Sequence, residues 1–262
     1  MADQGSVLIT GAGGGLGRGV AERLAAQGRG LVLLDIDESR LAETAAAVSA
    51  RQVPVTCHVV DIRDVDALEA AVGTAFESHE DLSALVNVAG LGGFRPYDAL
   101  EVDDWDRTYA VNVRGTFFAI QAFAGHLAER RRAGSVVNFS SIAARNGNEL
   151  LTAYGSSKAA VLAMTQSLAR ALAPTVRVNA VLPGLIWTDM WKQSAEWLAE
   201  NDPALRGVPG ERIFDTMVEQ LIPLKRAQTV GDVAGAVAYL LSEDAVNVTG
   251  QTLHVDGGAV LT

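Results

Sequence analysis

The sequence predicts an α/β protein: one domain, residues 1–262, built as a Rossmann-type doubly wound parallel sheet of seven strands with flanking helices. Short apolar runs alternate with amphipathic helical runs along all 262 residues, which is the pattern of consecutive β-α units. Right-handed crossovers then wind such a sheet to both sides of its first strand. The unusual residues also gather where strands end, at positions 11–17, 35, 61, 87–90, 141 and 183–188. The carboxyl edge of an open parallel sheet is where ligands bind.

In order, residues 6–10 (Ser-Val-Leu-Ile-Thr) form a first strand, followed by a turn with five glycines over 11–17 and a helix over 17–27. A second strand over 30–35 ends at Asp35, and an Ala-rich helix covers 40–50. A third strand, 53–60, ends at Asp61; its Cys57 lies in an apolar run and is expected to pack there. After a helix over 65–77, a fourth strand turns at 85–90. Asp103 or Asp104 is expected to cap one long helix toward Arg131. A fifth strand, 135–140, leads to Ser141, and a helix follows over 154–173. The sixth strand, 177–182, stops at Pro183-Gly184. A long, less regular insertion at about 188–224 reads as a lid. A helix over 230–242 and a strand over 252–255 complete the pattern.

Composition excludes several function classes. The net charge of −10 provides no general field for nucleic acid or an anionic membrane. One cysteine permits neither an intrachain disulfide nor a thiolate metal site. His58, His79, His126 and His254 are scattered without ligand spacing, so no metal is expected. The first residues carry no positive region or apolar signal core, and no run is long enough to span a bilayer. The expected compartment is the cytoplasm.

The turn Thr10-Gly11-Ala12-Gly13-Gly14-Gly15-Leu16-Gly17 joins strand to helix with Gly-x-x-x-Gly-x-Gly spacing. Glycine lets the backbone approach a ligand closely, and free amides at a helix start favour a pyrophosphate. Asp35, at the end of the second strand, can accept both hydroxyls of an adenosine ribose. It also opposes the extra phosphate of NADP: two like charges about 4 Å apart cost about 4 kcal/mol at an effective dielectric near 20. Gly14, Ile36 and Asp37 offer no compensating cation, so NAD is the expected cofactor. Tyr154 and Lys158, at i and i+4, share a helix face. A phenol titrates near ~10, and a fixed ammonium nearby lowers that value.

These residues together give the chain a full-length resemblance to the short-chain dehydrogenase/reductase family. The turn of Gly11, Gly14, Gly15, Leu16 and Gly17 resembles that family's cofactor turn. Asp61-Ile62 resembles its adenine-contacting pair, and Asn87-Val88-Ala89-Gly90 its Asn-Asn-Ala-Gly turn with Val88 in place of an asparagine. Asn112, Ser141, Tyr154 and Lys158 match its catalytic tetrad, Ser141 lying thirteen positions before the tyrosine with Ser140 a neighbouring competitor. The stretch Pro183-Gly184-Leu185-Ile186-Trp187-Thr188 is similar to the one that holds the nicotinamide carboxamide. Thr249-Gly250-Gln251 and Asp256-Gly257-Gly258 match its C-terminal signature.

The resemblance implies reversible hydride transfer between an alcohol carbon and nicotinamide. Tyr154 would handle the proton and Ser141 would fix the oxygen. Lys158 would hold the ribose and depress the phenol, and the Asn112 carbonyl would anchor a proton-relay water. It also implies a homotetramer packed through the helices around 104–131 and 154–173; the alanine face of Ala159, Ala160 and Ala163 fits close approach there and also fits core packing. Phe94 and Trp191 are expected substrate contacts, Trp191 either covering the pocket with Trp187 or anchoring the lid. With Arg95 the main charge nearby, a neutral alcohol or polyol is expected, in the manner of polyol and acetoin/butanediol dehydrogenases. The alternatives are a 3-oxoacyl-thioester reductase and a non-catalytic nucleotide sensor.

Overall fold

The computed structural model describes residues 5–261; the first residues read for targeting lie mostly outside that range. Seven parallel strands form one sheet in the order β3-β2-β1-β4-β5-β6-β7. They are β1 (Val7–Thr10), β2 (Leu31–Asp35), β3 (Val55–Val59), β4 (Ala84–Asn87), β5 (Gly134–Phe139), β6 (Val176–Pro183) and β7 (Thr252–Val255). Thr10 is in register with Leu34 on one side and Asn87 on the other. The winding direction therefore reverses between β1 and β4, and a crevice opens beyond their carboxyl ends.

Strand alternation sorts the core into two layers. Val7, Ile9, Leu31 and Leu33 face α1 (Gly15–Ala25), α2 (Glu38–Val48) and, through Val233 and Val237, α9 (Val230–Leu241). Leu8, Val32, Leu34 and Leu85 face the other layer, where α3 (Val65–Ser78) and α5 (Thr116–Glu129) supply Leu68, Phe76, Ile120 and Phe123. Such two-sided burial is why the strands read as continuous apolar runs. Helix starts follow local chemistry: Asp37 accepts from the Arg40 amide, Asp64 from Ala67, and Thr229 exchanges hydrogen bonds with Asp232.

The structure departs from the sequence reading at four places. The long helix toward Arg131 is α4 (Val102–Tyr109), a π-helical turn (Ala110–Gly115) and then α5. Asp104 does not cap it from outside; it sits within the first turn and accepts from the Glu101 amide at 3.4 Å. The 188–224 insertion, expected to be irregular, is regular: α7 (Asp189–Asn201) and α8 (Gly210–Leu221) pack Trp187, Trp191 and Phe214 with Leu185, Val218 and Ile222 into a separate apolar cluster. Cys57 is exposed, because β3 is an edge strand and strand order is invisible to an apolar pattern. The catalytic-region helix, α6 (Thr152–Ala171), begins two residues before Tyr154.

His79, buried at the end of α3, bonds Ser6 at 3.0 Å and Thr56 at 3.1 Å, and Ser6 donates to Asp81 at 2.7 Å. Burial holds the His79 imidazole below its ordinary range, with Asp81 opposing and His58 assisting; burial does the same to His58. The unfolded chain protonates these rings near ~6.5, whereas the folded chain resists until lower pH. Their contribution is therefore complete above that value and is lost as pH falls through it. Thermal melts should show stability dropping between ~pH 7.5 and ~5.5, with a shallower drop in His79→Gln. An equal drop in both proteins would show that the buried imidazole is not responsible.

Candidate active site

At the β1 end, Gly11 has φ +68°, and a Cβ there would lie 2.6 Å from the Ala89 backbone. Only glycine lets this turn pass beneath the turn after β4. A side chain at Gly17 would meet the Gly11 carbonyl at 2.1 Å, so α1 starts hard against the turn. Gly15 has open space before it, and the α1 start carries no side-chain cap and no acid. Its first amides are left for a ligand.

These glycines form one end of a cavity of about 930 Å³. Gly11, Gly14, Gly15, Leu16, Gly17, Asp35, Ile36, Asp61, Ile62, Ala89, Gly90, Phe94, Tyr154 and Thr188 all line it. Asp35 is fixed by two amides, accepting from Gly13 at 2.8 Å and Asp37 at 3.0 Å, and no cation among the described residues pairs with it. Asp61 is clasped by Arg63 (Nε to Oδ2 2.9 Å), which holds the carboxyl below its usual range.

Other expected contacts fall elsewhere. Asn87 is buried and donates to Asn138 at 3.0 Å, which in turn donates to Thr165; it braces strand ends and does not reach the cavity. Pro183, Gly184 and Ile186 are also off the wall. Pro183 is paired in β6, Gly184 is packed against Gln228 and Asp256, and Ile186 lies in the core. Their contribution to the wall is to deliver Thr188. Trp191 is likewise not a wall residue. Its ring packs edge-on against Phe214 at 5.2 Å and Phe94 at 5.8 Å, so it anchors the lid, as does Trp187.

The four tetrad positions converge. Lys158 is buried on α6 and donates to the Phe139 carbonyl at 2.9 Å. Its ammonium lies 5.8 Å from the Tyr154 ring centre. Asn112, fully buried in the π-helical turn, grips Leu91 through both main-chain groups at 2.8 Å and donates to Ser157 at 2.9 Å. A Cβ on Gly90 would stand 3.1 Å from the Lys158 ammonium and 3.4 Å from the Asn112 amide oxygen. Ser141 caps a short 3-10 turn, Ile142–Ala144, and faces the phenol. Ser140 is spent on the Lys158 carbonyl at 2.8 Å, which leaves Ser141 as the serine available to a substrate oxygen.

The expected depression of the phenol does not hold in the protein alone. Burial raises Tyr154, the Ser141 hydroxyl pulls it part of the way back, and the lysine is not among the causes. Burial also lowers Lys158 to about 8. Burial shifts the phenol and the ammonium each toward its neutral form, yet a lysine at about 8 still carries its charge at neutral pH.

Arg40, Arg107, Leu150, Leu151, Asp189, Met190 and Gln193 also line the cavity, and no local motif marks them. Arg40 corrects the expectation that no cation lies near Asp35, but it is committed to Asp37 (3.6 Å) and Asp189 (3.2 Å). Arg95 and Arg107 share Asp104 at 3.2 and 3.4 Å. Arg18 is exposed and paired with Glu22 and Glu43. Among the described residues, no three or more His, Cys, Asp or Glu side chains are grouped to hold a metal, and no helix is long and apolar enough to cross a membrane.

Comparison with known proteins agrees with this fold. Residues 11–260 match the family model adh_short_C2, described as enoyl-(acyl carrier protein) reductase. Diacetyl reductase [(S)-acetoin forming] of Staphylococcus epidermidis is 34% identical over 97% of this chain and 98% of its own length. L-2,3-butanediol dehydrogenase of Corynebacterium glutamicum is 36% identical over 96% of each chain. The crystal structure of NAD+-bound xylitol dehydrogenase superposes with a TM-score of 0.91 at 31% identity, covering 97% of this chain and 98% of that one. With a matching fold, full-length relatives and a converged Asn112, Ser141, Tyr154 and Lys158, the chain belongs to the short-chain dehydrogenase/reductase family.

Proposed function

We propose that the protein is an NAD(H)-dependent oxidoreductase that interconverts a secondary alcohol or polyol and its ketone. The observation that carries this reading is that Tyr154 lines a glycine-walled cavity and that Lys158, Ser141 and Asn112, themselves off the wall, gather around it. The residues fit a dinucleotide: open amides at the α1 start, an Asp35 carboxylate without a cation, and a buried ammonium with a single protein partner. Gly14, Gly15, Leu16 and Gly17 would hold the pyrophosphate, Asp35 and Ile36 the adenosine ribose, Asp61 and Ile62 the adenine, and Thr188 and Lys158 the nicotinamide end.

Bound nicotinamide supplies the hydride acceptor or donor. Tyr154 takes the hydroxyl proton during oxidation and returns it during reduction. Ser141 donates to the same oxygen and fixes its direction. Lys158 keeps ammonium hydrogens for ribose hydroxyls, and the Ser141 hydroxyl opposes the burial that raises the phenol. Asn112, by pinning Leu91, sets the loop that carries Gly92 against the Tyr154 ring.

The relatives in hand act on small hydroxyketones, diols or polyols by name, and the cavity wall agrees with a neutral substrate. Arg40, Arg63, Arg95 and Arg107 are each paired with a carboxylate, so no guanidinium is free for an anion. This also disfavours a thioester reductase that relies on a basic docking face. A nucleotide sensor would not need the complete tetrad. The exposed single cysteine suits a reducing compartment such as the cytoplasm.

A homotetramer is part of the proposal. Trp105, Tyr109, Val113, Phe117, Phe118 and Met164 line an open groove on α4, the π-helical turn, α5 and α6. Ala159 and Ala163 point outward from α6 and do not pack in the core. Light scattering should give a tetramer mass, and Ala163→Arg should reduce it; a wild-type monomer would end this reading.

With a panel of polyols and hydroxyketones, NADH absorbance should report turnover. Tyr154→Phe should lower it by about 10²- to 10⁴-fold with the melting temperature kept. Alcohol oxidation should rise with pH, since it requires phenolate, and ketone reduction should fall. Undiminished turnover in Tyr154→Phe would refute the assignment. Asp35→Asn should narrow the preference for NAD over NADP by roughly tenfold or more; an unchanged ratio would remove Asp35 as its source.

A further inference from the structure

Arg40 and Asp189 lie far apart in sequence and meet across the cavity rim. Arg40 sits in the first turn of α2, and its amide donates to Asp37 at 3.0 Å. Its Cβ lies 2.8 Å from where a Cβ on Gly13 would be, so its stem packs on the glycine turn. From there the guanidinium reaches Asp189, the first residue of the lid helix α7, at 3.2 Å. Asp37 in turn donates its amide to Asp35, which accepts from Gly13. One connected set of contacts thus runs from the glycine turn through Asp35, Asp37 and Arg40 to the lid.

The lid has the build of a unit that moves as one piece. Its apolar cluster of Leu185, Phe214, Val218 and Ile222 is separate from the two sheet cores. At the substrate end it is tied by aromatic contact, Phe94 standing edge-on to Trp191 at 5.8 Å and to Trp197 at 6.4 Å. At the opposite end, Arg40–Asp189 is the one ion pair among the described residues that joins the 188–224 segment to the rest of the chain.

We infer that the Arg40–Asp189 pair is a clasp that holds the lid over the dinucleotide and limits how fast it leaves. This rests on the proposed NAD(H) reading of the cavity. Arg40 is a positioning residue: it acts through the lid and takes no part in hydride or proton transfer. Both partners are about half exposed, at 53% and 54%. The pair is therefore weak enough to open each cycle and is sensitive to salt. Lys192 also approaches Asp189, at 3.3 Å, but does not line the cavity and makes no bridge to α2.

The test is the release rate of NADH from the full-length protein, followed by fluorescence after mixing with excess NAD+. Arg40→Gln and Asp189→Asn should each speed release by about two- to fivefold, and the double variant should be no faster than the faster single one. Wild-type release should quicken between ~50 and ~500 mM salt, the variants' release much less. Arg40→Lys should recover part of the wild-type rate, and Lys192→Gln should match wild type. Unchanged rates in both single variants, or effects that multiply in the double, would overturn the clasp. If NADH binds and Tyr154→Phe abolishes turnover while release is unaltered, the clasp alone falls. If no NADH binding is seen, the clasp falls together with the cofactor assignment.

Discussion

The site depends on one buried ammonium. Lys158 is almost fully enclosed, and burial alone pulls it to about 8. An enclosed cation must have hydrogen-bond acceptors, and the end of β5 provides one, the Phe139 carbonyl. Ser140, the residue directly after that strand end, donates to the Lys158 carbonyl in return. This reciprocal pair fixes α6 against β5, and with it the direction of Tyr154 one turn earlier. An ammonium has three donors, the Phe139 carbonyl engages one, and the ammonium stands beside Gly90. The free protein thus pays for a charge that a bound ribose would help satisfy.

The fold and the main line of the site were legible because their signals are local. A glycine turn after an apolar strand, an acid at the next strand end and a Tyr-x-x-x-Lys step each lie within a few residues. The parallel sheet repeats one rule seven times, so strand ends collect on one edge whatever the loops do. Helix caps at Asp37, Asp64 and Thr229 are equally short-range.

What was not legible depends on facing and strand order. Cys57 sits in an apolar run, yet β3 is an edge strand, and no periodicity reveals which strand has only one neighbour. Asn87 lies at a strand end like Asp35, but its side chain turns into the sheet and braces Asn138. Trp191 lies beside Met190, which lines the cavity, yet it faces Phe214. The π-helical turn at Asn112 looks like ordinary helix in sequence; the extra residue it accommodates lets the amide reach Leu91. Arg40 opens an Ala-rich helical run, and nothing local in the sequence marks Asp189 as its partner.

The two walls of the cavity are held by interactions of different strength. The Tyr154 wall uses buried hydrogen bonds, one of them to a charged group, worth about 1.5–3 kcal/mol, and breaking them would strand polar groups in the interior. The wall formed by α2 and the start of the lid uses exposed ion pairs, each worth about 1 kcal/mol or less. A dinucleotide has to enter and leave, while the proton-handling groups must keep their geometry through every cycle. Motion will therefore follow the weaker set: the lid can part from α2 at Arg40 while α6 and the end of β5 stay locked. On the proposed function, the rigid half of the site would perform the chemistry and the loosely paired half would admit the reactants.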